Sequence, residues 1–273
     1  MSKITINTVQ GIGDIFWCYQ KLAPYFDIIN INVLYLEATA IQLRAKAFCH
    51  MLPKVGTVCY VKVSAPEYKR VTRTRFNLPD GKTPIVDYAV NAPLEQGINL
   101  RELDQDSRIE EFVDLGLPKT VEQEDYLCAF VSGTKNSMVW HPDKWIEAIK
   151  QTALYVSASR IVLIGADWDK NVEGQVIAGL RDSFEIISHV GAYELADSVD
   201  VIRRSKFFLG FQSGLNVIAE NYDVPQLMLY YKHLEPMLYT WCKPENVKTK
   251  FTAATFSDDF AKVLAGVMLG ELV

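Results

Sequence analysis

206-KFFLGFQSGLNVIAENYDVPQLMLY-230 reads as strand, turn, helix, turn and strand in one piece. Phe207, Phe208 and Leu209 form a short apolar run suited to a buried strand. The span Gly210 to Gly214 supplies a compact turn whose small residues let a backbone approach a ligand closely. Ser213 is then placed to cap the helix, because a serine hydroxyl accepts from amides that a helix start leaves without partners. Such a start, at the positive end of the helix dipole, suits an anion such as a nucleotide diphosphate. An ordinary strand-to-helix turn without a ligand has the same local pattern, so the stretch establishes a βαβ unit and leaves the ligand open.

The same alternation extends in both directions. In the N-terminal part, Lys3 to Val9, Asn32 to Leu36 and Thr57 to Val63 read as strands, with helices at Ile15 to Tyr25 and Thr39 to Met51. Residues 64 to 84 are rich in charge, Pro and Gly and read as a long loop; Ile85 to Val90 is a further candidate strand and Ser107 to Leu115 a short helix. A second series starts at Tyr126 to Val131, passes the polar turn Ser132 to Ser137, and enters a helix at Pro142 that runs to about Tyr155. Arg160 to Ile164 and Glu185 to Ile187 are strands, Asn171 to Leu180 and Ala192 to Arg203 helices, and Asp258 to Leu269 is an amphipathic closing helix.

Two such series predict an α/β protein of two doubly wound Rossmann-like domains facing each other across a cleft. The expected limits are 1–123 and 124–257, joined at the acidic stretch around Glu122 to Asp125, with 258–273 returning toward the first domain.

Composition narrows the class. Of 273 residues, 49% are hydrophobic and 22% charged, as in soluble globular proteins, and no apolar run approaches the roughly 20 residues that cross a bilayer. The start MSKITINTVQ lacks a basic segment followed by an apolar one, so a cytoplasmic location is expected. Cys18, Cys49, Cys59, Cys128 and Cys242 are odd in number and widely spaced, which reads as reduced core thiols without a zinc site. The net charge of −5 is uneven: residues 1–82 hold eleven Lys or Arg against five Asp or Glu, and residues 83–126 three against eleven. Lys69, Arg70, Arg73 and Arg75 are the densest basic cluster, either a solvated face or the site of an anionic partner.

Gly11-Ile12-Gly13-Asp14 falls at the carboxyl end of the first strand, where open parallel sheets place ligands. It lacks the third glycine of a dinucleotide fingerprint, and Asp14 is either a cleft residue or a helix cap. This turn, Trp140-His141-Pro142-Asp143-Lys144-Trp145, Ile161-Val162-Leu163-Ile164-Gly165, and Ser213-Gly214-Leu215 with Val224-Pro225 occur in an order that resembles heptosyltransferase-like enzymes of glycosyltransferase family nine. The resemblance spans most of the chain and leaves residues 60–120 uncovered.

The resemblance implies a GT-B fold, an acceptor held mainly by the first domain and a nucleotide-sugar by the second, with inverting transfer that needs no metal. The family's catalytic acid falls on Asp14, the base for the acceptor hydroxyl. Gly13, Ser132, Thr134, Lys135, Gln212, Ser213, Gly214, Leu215 and Asn216 become donor and phosphate residues, His233 and Glu235 candidates for the nucleotide, and the basic cluster the acceptor side. Three positions depart from the pattern: the acid before Ser-Gly-Leu falls on Gln212, the later His on Val217, and a lysine before the Trp near Met138. Lys135 stands near enough in sequence to replace that lysine, or is an ordinary loop lysine.

The expected co-substrate is therefore a nucleotide-sugar, with no separate cofactor. The expected acceptor is anionic: lipopolysaccharide core, with attachment at the inner membrane periphery if it is lipid-linked, or a hydroxymethylated base in phage-type DNA. Donor sugar and oligomeric state stay open. Two other classes fit parts of the sequence. One is a non-catalytic nucleotide-sugar-binding protein, motivated by Gln212 and Val217; the other a metal-dependent transferase using Asp167-Trp168-Asp169, which reads equally as a surface turn. Trp17, Trp140 and Trp145 read as packing residues rather than sugar platforms.

Overall fold

A computed structural model describes residues 4–9, 11–13, 15, 19, 29–35, 40–52, 58–66, 121–131, 141–192, 194–211, 213–230, 251–254 and 262–264. The protein is mixed α/β with two parallel sheets, and its chain divides into two compact units, Met1–Leu117 with Tyr239–Trp241, and Pro118–Leu238 with Cys242–Val273. The expected strand at 85–90 and helix at 107–115 lie outside the described residues.

In the first unit, β1 (Ile4–Val9), β2 (Ile29–Tyr35) and β3 (Val58–Lys62) form a parallel sheet in that order, with α1 (Ala40–Met51) between β2 and β3. Parallel neighbours need a long crossover, and α1 supplies it. Its Ala45, Phe48 and Cys49 are buried at helical spacing, together with Leu52 beyond its end. β2 begins three residues before the expected Asn32, at Ile29. Asn30 and Asn32 are only half-buried and pair in register with Thr5 and Asn7, so they do not interrupt the strand. Tyr35 and Tyr60, on β2 and β3, stack with ring centroids 4.4 Å apart.

The second unit runs β4 (Glu124–Phe130), α2 (Pro142–Tyr155), β5 (Arg160–Ile164), a 3-10 turn (Asp167–Asp169), α3 (Lys170–Leu180), β6 (Glu185–Ser188), α4 (Leu195–Arg204), β7 (Ser205–Phe211), α5 (Gly214–Asn221), β8 (Gln226–Leu229) and β9 (Phe251–Ala254). Its six strands are all parallel, in the order β6-β5-β4-β7-β8-β9. The chain builds outward from β4 through β5 to β6, returns to lay β7 against the other side of β4, and builds outward again. The direction of winding therefore reverses between β4 and β7.

Strand periodicity gives this sheet two apolar faces. Leu127, Ala129, Ile161, Leu163, Phe207, Leu209, Leu227 and Leu229 share one core with Trp145, Ala148 and Ile149 of α2 and Val172, Val176 and Leu180 of α3. Trp145 is thus a packing residue, as expected; Trp17 and Trp140 lie outside the described residues. The opposite face is covered by α4 and α5.

Leu264, in the closing helical segment, is buried in the same core as Ala254. β9 has no counterpart among the expected strands, because Phe-Thr-Ala-Ala carries too short an apolar run to announce itself. Gly210 and Phe211, expected in a turn, continue β7. A Cβ at Gly210 would stand 2.9 Å from the Phe208 ring, so the residue is small because its own strand packs there.

The thiols divide by position. Burial pushes Cys49 up to about 12 and raises Cys128 as well. Cys59 is exposed on β3, contrary to the expectation of a core thiol, and Cys18 and Cys242 lie outside the described residues.

At the amino end of the sheet, Tyr126 Oη donates to the Val201 carbonyl at 2.7 Å and ties α4 to β4. Asp200 accepts from Arg203 Nε at 2.6 Å and Arg204 Nε at 2.8 Å. Burial alone would raise the Asp200 pKa, but the hydrogen bonds from Arg204 and Arg203 outweigh it and hold it below the usual carboxylate value. A lowered folded pKa contributes stability above the unfolded value of about 3.9 and loses it as pH falls through the folded one. Asp200→Asn should therefore flatten the loss of stability below about pH 4, read from urea unfolding at stepped pH.

Two glycines give opposite expectations. Gly174 on α3 has open space where a side chain would stand, so Gly174→Ala should raise unfolding stability by about 0.5–1 kcal/mol. Gly191 sits at φ +70 with the Asp167 carboxylate against its Cβ position, so Gly191→Ala should cost about 1–3 kcal/mol in the same urea titration.

Candidate functional site

β7 delivers Ser213 to the start of α5 in extended backbone, at φ −158 and ψ 172. Its hydroxyl accepts from the Leu215 amide at 3.2 Å, as expected of a cap. Its own amide donates to Asn216 Oδ1 at 3.2 Å, and the Asn216 amide donates to the Ser213 carbonyl at 3.2 Å. The Gly214 amide has no acceptor among the described residues. The turn thus engages the amides on either side of Gly214 within the protein.

Asn216 is fully buried. Its Nδ2 donates to Gln226 Oε1 at 3.0 Å, and Gln226 Nε2 returns a bond to the Asn216 carbonyl at 3.1 Å. Asn216 therefore holds the turn from inside, with both ends of its amide engaged by protein. Gln226, which sequence reading passed over, is equally buried at the head of β8. Its signal was a lone polar side chain opening the otherwise apolar run Gln-Leu-Met-Leu.

Electrostatics distinguish α5 from the other helices of its unit. The first turn of α2 carries Asp143 and begins with Pro142, which has no amide hydrogen; α3 carries Glu173 and α4 Asp197. The first turn of α5 carries no acid. Among the described helices of the second unit, this one alone leaves its positive end uncompensated.

α5 also starts at the place where doubly wound sheets bind ligands, beyond the carboxyl ends of strands at a reversal of winding. Phe130 of β4 pairs in register with Gly210 of β7, so Phe130 and Phe211 end neighbouring strands at that reversal. Ser132, Thr134 and Lys135 follow Val131 in sequence and lie outside the described residues. So do Asp14, Gln212, His233, Glu235, Lys69, Arg70, Arg73 and Arg75. Of the remaining candidates, Gly13 is helical and half-buried after β1, where the Ile15 amide donates to the Gly11 carbonyl at 2.9 Å. Ser213, Gly214 and Leu215 are half-buried, and Val217 is buried.

Asp167 and Asp169 do not form a shared ligand set. Asp169 is fully buried, and its Oδ2 accepts from the Ala166 amide at 2.8 Å, which stops the turn after β5. Asp167 is exposed and pairs with Lys170 Nζ at 3.0 Å. Among the described residues no group of three or more His, Cys, Asp or Glu converges on a metal position. No helix among them is long and apolar enough to cross a membrane.

A six-stranded parallel sheet wound in both directions, in a chain whose other unit has its own parallel sheet, has solved counterparts. The fold is that of the heptosyltransferases. Escherichia coli heptosyltransferase WaaC, solved with ADP, matches at TM-score 0.56 and 15% identity over 98% of this chain and 100% of that one. The ADP-heptose lipopolysaccharide heptosyltransferase II of E. coli matches at 0.54 and 15%, over 99% and 98%. A family 9 glycosyltransferase from Veillonella parvula matches at 0.58 and 12%, over 98% and 96%. These are GT-B glycosyltransferases, and the likeness establishes the heptosyltransferase-like fold for this chain. No protein-family model matches the sequence, and no curated protein matches it.

The two acids after β5 give a direct check on the turn. Asp169→Ala leaves the buried Ala166 amide without its acceptor and should cost about 1–3 kcal/mol. Asp167→Ala removes only an exposed ion pair and should change stability by less than about 0.5 kcal/mol, both read by urea unfolding.

Proposed function

We propose that the protein is an inverting glycosyltransferase that moves a sugar from a nucleotide-sugar to a hydroxyl of an anionic acceptor, without a metal or separate cofactor. The observation that carries this reading is the start of α5: acid-free, with the Gly214 amide unengaged among the described residues, at the reversal of a doubly wound sheet. The fold it shares with glycosyltransferases, one of them solved with ADP, supports the same class.

In this mechanism the acceptor oxygen forms a bond to the anomeric carbon as the bond from that carbon to the diphosphate oxygen breaks. Asp14 takes the acceptor proton. Positive charge spreads over the sugar ring while negative charge gathers on the departing diphosphate. The Gly214 amide and the α5 dipole stabilise that charge, with Ser132, Thr134, Lys135, Gln212, Ser213 and Leu215 as its further contacts. Asn216 serves the same site by holding the turn. Gly13 lets the donor approach Asp14, His233 and Glu235 contact the nucleotide, and Lys69, Arg70, Arg73 and Arg75 face the acceptor. Buried Val217 supports a second reading, a nucleotide-sugar-binding protein without turnover, because the family's polar side chain is replaced there by a core residue.

Asp14→Asn separates these readings. Transfer should fall by at least about a hundredfold with donor binding kept; full transfer by the variant would remove Asp14 from its role. A panel of nucleotide-sugars should contain one that, at a hundred times its dissociation constant, adds about 2.7 kcal/mol to unfolding stability. Transfer should persist in EDTA, and its loss would return a metal to the mechanism. The acceptor is resolved by offering lipopolysaccharide core and hydroxymethylated duplex DNA at low salt, since DNA affinity falls steeply as salt rises.

A further inference from the structure

We infer that Gln226 is a positioning residue for the anion site at the start of α5, acting through Asn216; this rests on the proposed function above. The chain of contacts is continuous. Gln226 Oε1 accepts from Asn216 Nδ2 at 3.0 Å, which fixes the side-chain amide so that its Oδ1 faces the turn. That oxygen holds the Ser213 amide at 3.2 Å and lies 3.4 Å from the Ser213 hydroxyl. The same hydroxyl accepts from the Leu215 amide at 3.2 Å. Gln226 Nε2 closes the loop on the Asn216 carbonyl at 3.1 Å, inside the first turn of the helix.

Each bond removes a competing conformation from the turn. With the Ser213 amide and hydroxyl and the Leu215 amide satisfied inside the protein, the Gly214 amide is the group left to an anion. Gln226 and Asn216 are both fully buried, so the pair exchanges no bonds with water and touches no ligand itself. The pair joins the first residue of β8 to the third residue of α5, tying the anion site to the sheet instead of leaving it on a free loop. Preorganised donors of this kind raise affinity because the ordering is complete before the ligand arrives.

The test uses the full chain with inorganic pyrophosphate, ADP and UDP as probes, titrated by calorimetry. Gln226→Met keeps volume and removes both amide bonds; it should unfold cooperatively and bind the probes about ten-fold more weakly. Gln226→Glu keeps the acceptor for Asn216 Nδ2 and loses the return donor, so its affinity should fall between the two. Leu180→Ala, in the core on α3, serves as the destabilised control and should leave probe affinity unchanged. Equal probe affinity in wild type and Gln226→Met would overturn the positioning role while leaving the anion site standing. Weakening in Leu180→Ala equal to that in Gln226→Met would overturn it too, by assigning the effect to stability. Failure of wild type to bind any probe would remove the anion site and this role together.

Discussion

The pairing of β4 with β7 is the constraint from which the second unit follows. Two strands separated in sequence by three helices and two other strands lie side by side in parallel, Leu127 to Gly210 forming the centre of the sheet. That placement forces the chain to wind one way through β5 and β6 and the other through β8 and β9. It also brings the ends of β4 and β7 together, and the start of α5 follows at that reversal of winding, the place in such sheets where the proposed function puts the donor. Under the proposed function the side chains then decide what binds there, and an acid-free first turn suits a negatively charged group.

Several of the polar groups buried in this unit hold local geometry. The Thr152 hydroxyl returns to the Ala148 carbonyl at 2.7 Å, and Asp169 closes its own turn. Asn216 and Gln226 close theirs from across ten residues. Apolar replacements would remove the need for such pairs, but they would also release the backbone amides that the pairs hold. Burial thus makes these groups determinants of local geometry, since an unmade bond in the interior costs more than a made one contributes.

Much of the second unit was legible because its central strands carry unbroken apolar runs, such as Ile161 to Ile164, bounded by turn residues. The Ser213 cap was legible for the same local reason. What stayed hidden depended on distance in sequence. Strand order is set by tertiary packing, and β9 is a strand only because β8 offers it an edge. Asp167 and Asp169 are two apart and chemically alike, yet one is buried and one exposed; nothing in Asp-Trp-Asp distinguishes them. The Asn216 and Gln226 pair escaped for a related reason, because helix and strand periodicity describe each element separately and neither predicts a bond between them. Reading Gly210 as a turn residue ascribed to a ligand a small size that the neighbouring Phe208 ring requires.

The bare first turn of α5 has a consequence for attempts to make the protein sturdier. Helix starts are commonly improved by adding Asp or Glu, a gain of about 0.3–1 kcal/mol each at an exposed position. By that criterion α5 is the helix of its unit in most need of repair, since its three neighbours already carry the acid. A charge-optimised variant would gain thermal tolerance by placing at the proposed anion site a permanent carboxylate that competes with every phosphate. Under the proposed function the unrepaired helix is a stability deficit kept in the free protein and relieved when the donor's diphosphate completes the dipole.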